Sequence, residues 1–416
     1  MPASAHTPPH DDGLARRNAL LLAVAQAFCG SAAPIAISLG GLVGLHLLGP
    51  DKSLATAPVT GYNIGVALMA LPAAMLMAKV GRRLGFVFGA LVGIAGALVA
   101  AYGIFQASFS IFCIGLALSG GGGAFTQQYR FAATDEASDA FKPKAISWVL
   151  AGGIFAAIIG PQTAIWFRDY FDPIPFAGAY LAGAVLILVG IAALSMLRFR
   201  ALADRAGQGG DTDLPARPLS AIARQPRFIV AVLCAVGSYA LMSYVMTGAP
   251  LAMVACGISV DYATLGIQWH VMAMFGPSFF TGSLIARFGK ERIVATGLGL
   301  LALSALTNLL GIDLANFWIG LILLGVGWNF GFIGATAMLT ECHRPSEKAK
   351  AQGLNDFILF GSVAFASLMA GQTLNGFGDT VAGWSAVNWI VFPIVAFCLA
   401  SLVWLRASER KAVHPA

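Results

Sequence analysis

The sequence predicts an all-α membrane protein with twelve transmembrane helices in two pseudo-symmetric six-helix halves and both termini in the cytoplasm. Three observations lead there. Apolar stretches of membrane-spanning length follow one another almost from end to end in a chain of 416 residues that is 58% apolar, 11% charged and has a mean hydropathy of +0.79. Basic residues gather in alternate loops, and one long polar stretch divides the apolar segments six and six. Unbroken apolar runs are the pattern of helices, since a membrane barrel alternates apolar and polar side chains.

The first segment, 18–47, follows Arg16 and Arg17, and its apolar character continues through Leu48. That is too long for the core of a cleaved secretory signal, so it reads as an uncleaved first helix. Segments 57–79, 84–104, 108–129, 145–167 and 175–197 complete the first half. The polar stretch from Arg198 to Arg227, with Gly-Gln-Gly-Gly-Asp and two proline-containing turns, reads as a flexible cytoplasmic linker. Segments 228–250, 262–286, 291–311, 315–339, 352–374 and 384–405 make the second half. The expected division is a cytoplasmic tail 1–17, a half 18–197, the linker 198–227, a half 228–405 and a cytoplasmic tail 406–416.

With the N-terminus inside, the outer loops hold only Lys52 and Arg168, and the other twenty-three of the twenty-five Lys and Arg fall on the cytoplasmic side. The net charge of +6 is therefore a product of topology and excludes a nucleic-acid-binding reading. The six cysteines (29, 113, 234, 256, 342 and 398) show no CxxC and no framework spacing, so no disulfide scaffold is expected. An enzyme would need a reactive constellation. The chain has no HExxH, no Gly-x-Ser-x-Gly, no phosphate loop and no paired carboxylates within the bilayer.

The halves echo each other. Ala74-Met-Leu-Met-Ala-Lys-Val-Gly-Arg-Arg83 follows the second segment and Gly282-Ser-Leu-Ile-Ala-Arg-Phe-Gly-Lys-Glu291 follows the eighth. Twelve helices, a central cytoplasmic loop and this repeated loop resemble the major facilitator superfamily. That superfamily normally has Asp where this chain has Ala78 and Ala286, while the Gly81 and Gly289 turn is kept. Gly152-x3-Ala156-x3-Gly160-Pro161 is partly similar to a motif of the superfamily's antiporters, without its closing glycine pair. The resemblance implies an alternating-access carrier in the cytoplasmic membrane, with a site between the halves.

The candidate site lies in the second half. Met242 stands fourteen residues before Cys256 and His270 fourteen after it, and each opens an i, i+4 pair, Met242-x3-Met246 and His270-x3-Met274. If Cys256 is near the turn of a helical hairpin, the pairs face each other. Cys234, eight residues before Met242, is expected to continue the same face towards the cytoplasm. Thioether, imidazole and thiol suit a soft cation such as Cu(I), and neutral ligands are easier to hold in a membrane than carboxylates. His46 reads as interfacial, and His6, His10, His343 and His414 as tail or loop residues. Arg130, Asp135, Glu136, Glu341, Arg344 and Asp356 sit at predicted cytoplasmic helix ends, where charge pairs would latch the halves.

These pairs, with Gln268-Trp-His-Val-Met-Ala-Met-Phe-Gly-Pro-Ser278 and Gly327-Trp-Asn-Phe-Gly-Phe-Ile-Gly334, resemble the CcoA-type copper importers, a bacterial branch of the superfamily. The resemblance implies copper as cargo at Met242, Met246, His270 and Met274, with Cys234 and Cys256 assisting and no resident cofactor. It also implies delivery to a cytosolic copper chaperone or acceptor for cytochrome oxidase assembly, by a protein expected to act as a monomer in the lipid bilayer. Two alternatives stay open. One is a carrier of riboflavin, a drug or another organic solute, with Trp269, Trp328, Phe330 and Tyr244 stacking on a flat substrate; the other is a membrane thiol enzyme or assembly factor.

Overall fold

Among the described residues eleven helical runs are long and apolar enough to cross a membrane, and a bent pair of helices supplies a twelfth crossing. The computed structural model describes residues 11–138, 140–199, 217–344 and 347–413, and among these there is no strand. His6, His10, His414 and most of the linker, 200–216, lie outside the described residues.

The first crossing is α1 (Asp12–Cys29) and α2 (Ala32–Leu47), broken where a single segment is predicted. Pro34 has no N–H to give the carbonyl of Gly30, and the Ser31 hydroxyl turns back to donate to the Ala27 carbonyl at 2.6 Å. The half is completed by α3 (Ala57–Val80), α4 (Arg82–Phe105), α5 (Phe109–Thr126) with the short α6 (Tyr129–Ala132), α7 (Lys142–Phe167) and α8 (Ala177–Ser195). On α7 the Gly152-x3-Ala156-x3-Gly160 stripe is a packing face. A Cβ at Gly152 would fall 2.2 Å from the Ala23 carbonyl oxygen, and one at Gly160 would fall 2.8 Å from that of Ser31.

The second half comprises α9 (Leu219–Ala223), α10 (Pro226–Ala255), α11 (Val260–Phe275), α12 (Ser278–Phe288), α13 (Lys290–Leu309), α14 (Leu314–Leu339), α15 (Lys348–Asn375) and α16 (Thr380–Val413). Helix α10 runs on past Pro250, where the sequence predicts its end, so the hairpin turn starts at Cys256. The predicted eighth helix is bent by 44° between α11 and α12. Pro277 ends the hydrogen-bond ladder there, and Asn329 of α14 takes over part of it. Its Nδ2 donates to the Met274 carbonyl at 2.6 Å and to Ser278 Oγ at 2.7 Å, while its Oδ1 accepts from Thr281 at 2.6 Å. A buried carbonyl freed by a break must find a partner, and a fully buried asparagine supplies one.

The repeated loop is a repeated geometry. Gly81 has φ +86° and ψ 160°, Gly289 has φ +88° and ψ 154°, and each ends one helix and opens the next. Such backbone angles are open to glycine and strained for other residues. The basic residue after each glycine then ties its own half together: Arg82 to Asp135 at 3.1 Å, and Lys290 to Glu341. Arg227 adds bonds to Glu291, Glu341 and Glu409 at 2.6, 2.7 and 2.7 Å. Asp135 and Glu341, expected to latch one half to the other, therefore pair inside their own halves.

The halves meet through α3 on α15, α7 on α11, and α2 on α10 and α11. Polar links between them cluster on the face opposite the two termini. Arg168 Nη1 bonds Asp261 Oδ1 at 2.6 Å, Gln162 donates to Gln268 at 3.0 Å, and Thr60 and Ser367 share a hydrogen bond of 3.1 Å. Asn375 also donates to the Lys52 carbonyl at 3.0 Å.

On the face of the termini, the end of the linker is stitched to the second half. Arg217 bonds Glu347 through its backbone N and its guanidinium at 2.7–2.8 Å and reaches the Cys342 carbonyl at 3.1 Å. The Arg217 guanidinium holds the Glu347 carboxyl well below the usual carboxylate range, helped by the backbone N–H of Arg344.

Candidate functional site

Between the halves lies a cavity of about 170 Å³ whose two walls differ in chemistry. The first half brings most of the polar groups, Gln26 of α1, Asn63 of α3, Thr126 and Gln127 at the end of α5 and Arg130 of α6, among apolar residues such as Ile37, Val66 and Leu150. The second half presents soft and aromatic ones. Tyr239, Met242, Ser243 and Met246 of α10 line it at i, i+3, i+4 and i+7, which is one helix face. Val271, Met274 and Phe275 of α11 do so at i, i+3 and i+4, and Phe360 and Val363 come from α15.

Of the six residues singled out as ligands, three reach this cavity, namely Met242, Met246 and Met274. His270 is fully buried but turned away: its Nδ1 lies 2.8 Å from the Leu321 carbonyl oxygen of α14, and its Nε2 has no partner. The i, i+4 spacing explains the divergence. Each residue advances a helix by about 100°, so His270 stands roughly 100° from Val271, the middle of the lining face, while Met274 is about 60° from it on the same side. Cys234 likewise diverges, because eight residues turn the helix by about 800°, some 80° past whole turns. Its thiol packs against α16, 4.0 Å from the Cys398 carbonyl oxygen. Cys256 sits at the hairpin turn, half-buried and outside the cavity. Among the described residues no three His, Cys, Asp or Glu side chains gather where a metal ion would be held.

Several aromatic expectations also move. Trp269 is 39% exposed on the outer surface of the bundle, and Tyr244 spends its hydroxyl on Thr373 at 2.8 Å. Trp328 stacks on Phe332, with ring centroids 5.2 Å apart, and both rings pack edgewise against Tyr239 at 5.3 and 5.1 Å. Phe360 closes the group 6.3 Å from Tyr239. Tyr239 and Phe360 thus join Phe275 and Tyr62 as the aromatic part of the wall, Tyr239 being backed by Trp328 and Phe332. Tyr239 was legible in principle, since it lies three residues before Met242 and shares its face.

Arg130 is the other residue whose place differs from expectation. Expected in a cytoplasmic gate, it lines the cavity; its guanidinium lies 4.8 Å from the Phe131 ring centroid, and its Nε is buried without a hydrogen-bond partner. It makes no ion pair among the described residues. An unpaired cation facing a membrane cavity is costly to hold and marks a working position.

The model of the family described as Major Facilitator Superfamily matches residues 19–354 and 278–416. The chain belongs to the major facilitator superfamily. It is 54% identical to the riboflavin transporter RfnT of Brucella anthropi, over 98% of this chain and 100% of that one. It is 28% identical to YddS, an MFS-type transporter of Bacillus subtilis, over 94% of this chain and 92% of the other. Among solved structures, the nucleoside transporter NupG superposes with a TM-score of 0.69 at 14% identity, covering 93% of this chain and 98% of that one, a likeness of fold. This superfamily member is a multi-pass protein of the bacterial inner membrane.

The same findings correct the reading of cargo. Near-complete alignment with a riboflavin transporter at 54% identity overturns the expectation of a copper importer, and with it copper as partner and delivery to a copper acceptor for oxidase assembly. Of the residues on which the branch resemblance rested, Met242, Met246 and Met274 line the cavity, while the flanking segments also serve the fold. The Gln268–Ser278 segment holds the bend and the contact to α7, and Gly327–Gly334 carries Asn329, which satisfies the broken backbone.

Proposed function

We propose that this facilitator carries riboflavin across the cytoplasmic membrane by alternating access, binding it in the central cavity. The observation that carries the reading is the 54% identity to RfnT over the whole of both chains, supported by a cavity whose two walls match the two characters of a flavin. A tricyclic aromatic ring needs a flat, polarizable surface, which Tyr239, Phe360 and the three methionine thioethers supply. The carbonyl edge and the hydroxylated chain need donors and acceptors, which Gln26, Asn63, Thr126, Gln127 and Arg130 supply.

The gathering of Lys and Arg in alternate loops supports a cytoplasmic position for both termini. The links from Arg168 to Asp261 and from Thr60 to Ser367 then seal the external face, so the arrangement is the one that exchanges cargo with the cytoplasm. Riboflavin-auxotrophic bacteria expressing the chain should grow on low external riboflavin, and cells carrying an inactive variant at equal membrane abundance should not. Equal growth of both would refute the reading.

A further inference from the structure

We infer that Arg130 is the residue that reads the cargo, donating two N–H groups to the adjacent carbonyl oxygens and ring nitrogen of its pyrimidinedione edge. The inference rests on the proposed flavin reading and specifies which end of the molecule is recognised and by what.

Four features converge on it. Arg130 is a cation that lines the cavity without an ion pair among the described residues, and its Nε is buried and unsatisfied. A guanidinium nitrogen buried without an acceptor loses hydration that the Phe131 ring beside it offsets only in part, so a ligand that brings acceptors gains more there than at a neutral donor. The guanidinium is a planar fork, and two hydrogen bonds from it fit neighbouring acceptors lying in one plane better than the staggered hydroxyls of a flexible chain. Tyr239, which lines the same cavity as Arg130, is held by its packing on Trp328 and Phe332. A ring lying against Tyr239 would therefore bring its polar edge within reach of Arg130.

The test is equilibrium binding by quenching of flavin fluorescence, with riboflavin and with lumiflavin, which keeps the pyrimidinedione edge and lacks the hydroxylated chain. Purified intact chain is compared with Arg130→Gln and Arg130→Lys, each checked for a monodisperse size-exclusion profile. Lysine retains the charge without the fork and guards against a misfolded glutamine variant. Removing a charged hydrogen-bond donor pair should weaken both ligands about 10- to 100-fold in Arg130→Gln, and by a smaller, equal factor for the two ligands in Arg130→Lys. Loss for riboflavin alone would overturn the inference, since the residue would then read the chain. Unchanged affinity with slowed uptake would overturn it in favour of a gating role. If the unaltered chain binds neither flavin, the functional reading itself falls and this one with it; if it binds both and only the variants behave otherwise, the flavin reading stands.

Discussion

Arg168 Nη1 lies 2.6 Å from Asp261 Oδ1, so the loop after α7 in one half is ionically tied to the first turn of α11 in the other. Asp169 braces the same guanidinium at 2.7 Å, and the Asp169 and Asp261 carboxylates hold the Arg168 charge more firmly than usual. Gln162 and Gln268 repeat the bridge between these two helices nearer the membrane centre. The face opposite the termini is thus closed by a few polar contacts that rocking of the halves would have to break.

Breaking the outermost one should be mild. Asp261 is 47% exposed, so its pairing with Arg168 contributes at most about 1 kcal/mol. Arg168→Ala should shift the conformational balance a few-fold towards the outward-open state. An impermeant maleimide added outside would then label a cysteine placed at Tyr62 faster, in a background lacking the native thiols.

Asn329 should matter more. Replacing it with Leu leaves the Met274 carbonyl without its donor at the Gly276-Pro277 bend, while the Thr281 hydroxyl keeps only the Pro277 carbonyl. A loss of about 1–3 kcal/mol is expected, seen as a lower midpoint in detergent thermal melting.

His270 is expected to act as a packing residue and not as a cargo ligand. His270→Ala opens a void beside α14 and should lower stability by a few kcal/mol, while riboflavin affinity of the folded fraction changes less than about threefold. Exchanging Met242, Met246 and Met274 together for Leu keeps volume and apolar character, so flavin affinity should fall by less than about tenfold. A complete loss of flavin binding in His270→Ala at intact folding would contradict this placement.

The linker anchor should be acid-sensitive. Glu347 has a carboxyl pKa depressed below its ordinary 4.5 by Arg217, so its contribution is fully present above that value and is lost as pH falls towards the depressed one. Between neutral pH and about 5, Glu347→Gln should be less stable to limited proteolysis near the linker than the unaltered chain. The difference should shrink steadily below pH 4.5.

Much of this architecture could be read from the chain because a membrane constrains it so strongly. Length and hydropathy mark the spans, the Lys and Arg of alternate loops suggest the sides, and the recurrence of Gly81 as Gly289 marks a repeat that the structure reproduces to within a few degrees of φ. The breaks at Gly30-Ser31 and Gly276-Pro277 were harder, since a proline in a membrane helix is decisive only when the partner of the freed carbonyl is known, and Asn329 is fifty-five residues from Met274. The site was legible in part. Helical spacing brought Met242, Met246 and Met274 to one cavity but could not show that a rotation of 40° per i, i+4 step carries His270 out of it. Arg130 was misplaced because a charge near a helix end resembles a loop charge until the opposite half is in position.

The central claim is best tested by reconstituting the purified chain into vesicles and following entry of radiolabelled riboflavin, with labelled copper measured in parallel. Saturable riboflavin entry that excess unlabelled riboflavin abolishes is expected, with copper entry no faster than in protein-free vesicles. Vesicles that hold folded protein, take up copper faster than protein-free vesicles and admit no riboflavin above background would contradict it.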